Sequence, residues 1–219
     1  MTNAAQVTGL LLAAGGGRRL GGRPKALLTH RGRPLVEHAV RMLREGGCPT
    51  VYVVLGASAD DVRARADLAG CVLIDNPDWS DGMGSSLRAG LDALTRAAAE
   101  QGGNERAAPA RAAAGQAGGA RAALVSLVDQ PGIGSRAIAR VLAAHRSADS
   151  LVAASYDGRR GHPVLFGAAR WADIAATATG DRGARAYLKA HEDEIELVEC
   201  GDVAEPYDID TEADLGRLQ

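Results

Sequence analysis

Apolar residues fall along this chain in two rhythms. Short runs come at Val7–Ala14 (broken by Thr8 and Gly9), Val51–Leu55, Cys71–Ile74, Arg121–Val128 and Ile195–Glu199. Runs of this length bounded by turn residues predict buried strands. Between them, Leu35–Glu45 carries Leu35, Val36, Ala39, Val40, Met42 and Leu43 at helical spacing and stops at Gly46-Gly47. Helices are likewise predicted over Asp60–Leu68, Gly84–Leu94, Arg136–His145, Ala168–Ala176, Asp181–Ala190 and Glu212–Leu218. Leu151–Ser155 and His162–Phe166 read as a strand pair joined at Asp157-Gly158. Strands alternating with helices predict an α/β fold, a doubly wound, mostly parallel sheet with helices on both faces. Ligands of such sheets lie beyond the carboxyl ends of the strands.

The 219 residues predict a single domain, 1–219, able to bury its own core. Residues 97–120 are mostly Ala, Gly, Arg and Gln, and predict a helix end followed by a flexible insertion without chemistry. A formal net charge of −2 argues against a general nucleic-acid or membrane-surface binder. Aromatics at 3% are too few for single-strand stacking platforms. Cys48, Cys71 and Cys200 have no paired spacing and read as reduced thiols. No apolar run reaches the roughly 18 residues of a membrane span, and the N-terminal residues lack a secretory pattern. These features predict a cytoplasmic protein.

The densest chemistry lies just after the first predicted strand. Gly15, Gly16 and Gly17 allow a sharp turn that brings bare amides to an anion. Arg18, Arg19 and Lys25 add positive charge. The glycines fit neither the dinucleotide fingerprint, since residue 20 is Leu, nor the P-loop, since Arg23-Pro24 follows Gly22. A plain glycine turn with solvated arginines is the alternative. Asp129 follows an apolar strand, where a carboxylate can hold Mg²⁺ together with phosphates, or merely serve a turn. In Asp208-Ile209-Asp210, alternation points both carboxylates to one side, or one of them, or Thr211, caps the next helix. Ser85 and Ser86 open a helix and offer donors. His162 precedes Pro163 and is held extended. Arg182 or Arg185 could fork onto a phosphate, or Asp181 simply caps. The other four histidines have no ligand spacing.

Ala13-Ala14-Gly15, Arg19, Gly21 and Pro24-Lys25 resemble the signature of nucleotidyltransferases that activate sugars and cofactors. They are most similar to the molybdenum cofactor cytidylyltransferase branch. Gly17 stands where a small hydroxyl residue is frequent, and one extra residue precedes Pro24-Lys25. Leu127-Val128-Asp129-Gln130-Pro131, Asp208-Ile209-Asp210-Thr211, Asn76 through Ser86, and Gly161-His162-Pro163 match further family segments in order. The resemblance implies a Rossmann-like nucleotidyltransferase fold and a Mg²⁺ cofactor held by Asp129 with Asp208 or Asp210, more so Asp210. It implies nucleotide contacts from Ala13, Ala14, the three glycines, Arg18, Asn76, Ser85 and Ser86, with Arg19 and Lys25 catalytic. It places His162, Asp181 and Arg182 toward the acceptor. It implies a nucleoside triphosphate donor, CTP favoured, a molybdopterin-type acceptor and a molybdoenzyme as partner. A sugar phosphate or another phosphorylated metabolite as acceptor is one alternative. A non-catalytic accessory protein that binds cofactor for a molybdoenzyme is another.

Overall fold

The structure is a computed structural model that describes residues 7–107 and 120–218. Seven strands form one sheet: β1 (Val7–Leu12), β4 (Val51–Leu55), β5 (Cys71–Asp75), β6 (Ala122–Leu127), β7 (Leu151–Tyr156), β8 (Arg159–Gly167) and β9 (Glu196–Glu199), in the order β5-β4-β1-β6-β8-β7-β9. A two-residue hairpin, β2 (Thr29–His30) and β3 (Arg33–Pro34), stands apart from it. β5, β4, β1 and β6 run parallel, β8 is antiparallel to both β6 and β7, and β9 is parallel to β7. The fold is the α/β architecture the patterning predicts.

Each face of the sheet buries its own layer, because side chains alternate along a strand. Val7 and Leu11 point to a layer with Leu35, Val36, Val40 and Leu43 of α1 (Leu35–Glu45) and Ala137, Ile138 and Val141 of α4 (Ser135–Ala143). Leu10 and Leu12 point to the other, with Leu87, Leu91 and Leu94 of α3 (Met83–Ala107) and Trp171 and Ile174 of α5 (Trp171–Thr177). α3 lies so close to β1 that a Cβ on Gly90 would meet Leu10 at 2.6 Å. α2 (Ala59–Arg65) and α6 (Arg185–Ala190) complete the layers.

The chain runs outward from β1 through β4 to the β5 edge, then returns to the far side of β1 at β6. This reversal leaves the carboxyl ends of β1 and β6 side by side at a topological switch point. The β7–β8 turn uses Asp157 (φ 50°) and Gly158 (φ 75°), both left-handed, as a tight two-residue hairpin requires.

Three expectations change. α3 continues to Ala107, so the first part of the expected insertion is helical, and residues 108–119 of that expectation lie outside the described residues. The helices expected at Ala168–Ala176 and Asp181–Ala190 each begin as a short 3₁₀ turn before α5 and α6. The closing helix, Glu212–Leu218, is 3₁₀ throughout. Among the described residues, no helix is long and apolar enough to cross a membrane.

Candidate active site

The cleft sits above the switch point, and three segments meet there. After β1, Ala13 stays tied to the sheet by its amide on Val54 O at 3.0 Å. Beyond it, the amides of Gly15, Gly16 and Gly17 find no acceptor among the described residues. Gly15 and Gly16, with Ala14, Arg18 and Arg19, line a cavity of about 380 Å³. Unpartnered amides at a glycine turn are an anion-binding arrangement. Gly16 also has a packing reason to lack a side chain, since its Cβ would meet the Trp79 ring at 3.1 Å. Ala13 is buried and Gly17 lies outside this lining.

Gly17 (φ 60°) shapes the loop from within. Its carbonyl accepts from Leu20 N at 2.8 Å and Gly22 N at 3.1 Å. Gly21 and Gly22 follow in left-handed conformations. Lys25 follows this turn and reaches Asp129 and Asp210. A Cβ on Gly17 would stand 1.9 Å from Arg23 O, whereas one on Gly21 would meet nothing within 4 Å. Gly17→Ala is therefore expected to cost about 3 kcal/mol and Gly21→Ala only the left-handed penalty of about 1 kcal/mol. Urea midpoints of the two variants check the difference.

After β6 comes Asp129. The third segment is pinned to it directly: Ile209 N donates to Asp129 O at 2.9 Å, and the Ile209 side chain is fully buried. Alternation then turns Asp208 and Asp210 outward on the same side. Neither caps the closing helix. Asp214 serves the amides of Asp210 and Thr211 instead, at 3.2 and 2.8 Å. Lys25 Nζ lies 2.6 Å from Asp129 Oδ2 and also bonds Asp210 Oδ1, while Arg19 reaches Asp210 at 3.8 Å. Gln130 Nε2 donates to Asp208 Oδ1 at 2.7 Å.

Burial acts to lower the Lys25 pKa, but Asp129 and Asp210 outweigh it and hold the ammonium above its ordinary range. The Asp129 carboxyl is nonetheless pushed up: burial and the charge of Asp208 outweigh what Lys25 returns. One ammonium shared between two carboxylates leaves a demand for more positive charge. Among the described residues, no three or more His, Cys, Asp or Glu side chains are grouped closely enough to cage a metal unaided.

A second cavity of about 760 Å³ shares Leu12, Lys25, Met83, Leu127, Asp129 and Asp210 with the first. The two are lobes of one cleft joined at the Asp129–Lys25–Asp210 bridge. This second lobe is lined by His162 and by Arg159, Arg160, Arg182 and Arg185. His162 is half-buried, and its backbone carbonyl is held by the Tyr156 hydroxyl at 2.7 Å.

Sequence-derived candidates divide accordingly. Ala14, Gly15, Gly16, Arg18, Arg19, Ser86 and Asp181 line the glycine lobe, and His162 and Arg182 the arginine lobe. Asp181 thus faces the glycine lobe, away from the acceptor position assigned to it. Asn76 and Ser85 lie outside the lining of both lobes. Asn76 is buried and donates to Ser85 Oγ at 2.9 Å and Ser86 Oγ at 3.0 Å, fastening the turn after β5 to the start of α3. Trp79 and Gln130, which stand inside matched segments without a role of their own, and Arg160, which stands in none, also line the cleft. For Arg160 the signal is nearness in sequence to the Gly161-His162-Pro163 segment. The three cysteines are free, and burial pushes each thiol up, Cys48 to about 12, which argues against thiolate chemistry.

Comparison with known proteins gives the same picture. A model of the MobA-like NTP transferase domain matches residues 9–195. A nicotine blue oxidoreductase of Paenarthrobacter nicotinovorans is 40% identical over 218 residues, covering 97% of this chain and 96% of its own. A molybdenum cofactor guanylyltransferase of Shewanella halifaxensis is 28% identical over 162 residues, 74% of this chain and 67% of its own. Among solved structures, Rv0371C of Mycobacterium tuberculosis H37Rv in complex with manganese aligns with a TM-score of 0.69 at 25% identity, over 97% of each chain. The matched span holds the glycine loop, Lys25, Asp129 and the arginine lobe, and the chain belongs to the family of MobA-like NTP transferase domains.

Proposed function

We propose that this nucleotidyltransferase uses Mg²⁺ to move a nucleoside monophosphate, CMP from CTP, onto a phosphorylated acceptor. An acceptor phosphate oxygen bonds to the α-phosphorus, the bond from that phosphorus to the oxygen bridging to the β-phosphate breaks, and pyrophosphate leaves with the electron pair. The observation that carries this reading is the cleft itself: a lobe of unpartnered amides and a lobe of arginines joined at Asp129–Lys25–Asp210.

Positioning and charge neutralisation are most of what phosphoryl-type transfer asks of a protein. The Gly15–Gly17 amides, with Arg18 and Arg19, hold the triphosphate. Lys25 steadies charge at the α-phosphate. Asp129 and Asp210 are the carboxylates that would hold Mg²⁺, with Asp208 beside them. An all-oxygen pair completed by phosphates suits that ion, and the under-compensated Asp129 supports it. Held there, Mg²⁺ would supply orientation and charge screening for the phosphates. A manganese complex of the Mycobacterium tuberculosis relative supports a divalent ion here.

The resemblance in Ala13-Ala14-Gly15 and Pro24-Lys25 favours CTP and a molybdopterin-type acceptor in the service of a molybdoenzyme. The guanylyltransferase relative makes GTP the competitor. Thermal melts of the full chain with each NTP and Mg²⁺ are expected to show the largest rise with CTP. Pyrophosphate release is then expected only when an acceptor is added. A GTP preference overturns the base assignment, and binding without release favours a carrier. The 40% identical relative supports a second reading, redox chemistry on nicotine blue. A change in nicotine blue absorbance with an added reductant, and no pyrophosphate from any NTP, would establish that one instead.

A further inference from the structure

The arginine lobe has two unlike ends. Register pairs Val125 of β6 with Val164 of β8 below the carboxyl edge of the sheet. With Leu12, Leu87, Phe166 and Leu188 they form a floor that carries no side-chain donor or acceptor. The mouth carries Arg159, Arg160, Arg182 and Arg185, and none of these makes an ion pair among the described residues. Arg160, His162, Val164 and Phe166 of β8 all line this lobe. Arg185 and Leu188, three apart, share a face of α6. Strand and helix therefore each lead from an apolar residue inside to an arginine at the mouth.

His162 shares this lobe with Arg160 and Arg185 and feels the charge of both. Burial, then the charges of Arg185 and Arg160, push its imidazole down to about 4, so at neutral pH it is an uncharged hydrogen-bonding group. One phosphate ester is satisfied by one or two guanidinium forks. Four guanidiniums at a single mouth exceed that need. A polar ring such as a pterin would find one acceptor in this lobe that is unpartnered among the described residues, Gln130 Oε1, and would leave its remaining nitrogens unpaired against the floor, which costs affinity.

We propose that the acceptor has an apolar body, which fills the floor, and a second anionic group besides the attacking phosphate, seated between Arg160 and Arg185. This rests on transfer to a phosphorylated acceptor and departs from the pterin expectation. Four probes separate the elements. 4-Carboxyphenyl phosphate has the body and both anions, phenyl phosphate lacks the second anion, and 3-phosphoglycerate lacks the body. Neopterin monophosphate carries a polar ring. Calorimetry on the full chain is expected to find the first at least fivefold tighter than each of the others. Arg160→Gln and Arg185→Gln, both at exposed positions, are expected to abolish its advantage over phenyl phosphate while keeping the wild-type melting temperature.

An advantage below fivefold over any of the three overturns the proposal, as does an advantage that survives both substitutions. NTP melts on the same preparations keep the readings apart. Failure of every nucleotide to bind would sink nucleotidyl transfer, while the probe ranking decides the acceptor lobe by itself.

Discussion

Asp129→Ala is expected to keep the fold and lose the reaction. The rate of pyrophosphate release, as kcat/KM, should fall at least about a hundredfold, roughly 2.7 kcal/mol of transition-state stabilisation, the usual loss for one preorganised electrostatic group. Stability should not follow. Burial holds the Asp129 carboxyl above its ordinary range. A group whose folded pKa is raised is penalised for ionising, so the folded state gains nothing from this charge at neutral pH. Its removal leaves Lys25 with Asp210. The melting temperature should stay within about 3 °C, less than 1 kcal/mol or so of stability for a chain this size. Asp210→Ala should lose a similar share of activity, and Asp208→Ala less, because Asp208 is engaged by Gln130 instead of Lys25. Near-normal turnover in Asp129→Ala would remove the metal assignment.

The elements that bury a regular apolar face were legible in the sequence. Leu35–Glu45 and Val51–Leu55 have in the structure the ends their periodicity predicts. The β7–β8 hairpin followed from Asp157-Gly158, since few residue pairs take two left-handed conformations in succession. Residues 97–107 hold the helix end expected there, although apolar spacing alone does not mark its length. Alanine, arginine and glutamate are strong helix formers without any apolar stripe, and α3 runs on through them. Asp129 was legible because it follows an apolar strand, and Asp208 and Asp210 because they alternate around the apolar Ile209. Of the second lobe's arginines, Arg182 and Arg185 were legible as phosphate-binding candidates, and Arg159 and Arg160 were not. Arg159 and Arg160 belong to no matched segment, and only the folded β8 brings them into the lining of the cleft. Lys25 was legible as a cation, but its partners lie 104 and 185 residues away. No local pattern carries such distances.

That bridge supplies the second large effect. Lys25→Met should leave Asp129 and Asp210 facing one another without their shared counterion. Removing one partner of a fully buried pair costs about 3–5 kcal/mol. Here the Lys25 and Asp129 side chains are 15% and 19% exposed, but Asp210 is 41% exposed, so water screens part of the repulsion and about 2 kcal/mol is expected in chelator. If these carboxylates are where Mg²⁺ sits, the ion should replace the missing ammonium. Millimolar Mg²⁺ should then recover most of the variant's urea midpoint, while the wild-type midpoint, already served by Lys25, moves less. Activity should remain at least about a hundredfold down, because the ion cannot also do the lysine's work at the α-phosphate. Chelator and Mg²⁺ thus act oppositely on two readouts of one variant. A Lys25→Met protein as stable as wild type in chelator would show that the bridge contributes nothing to the fold. One destabilised but indifferent to Mg²⁺ would show that the carboxylates are held by the lysine and do not bind the ion.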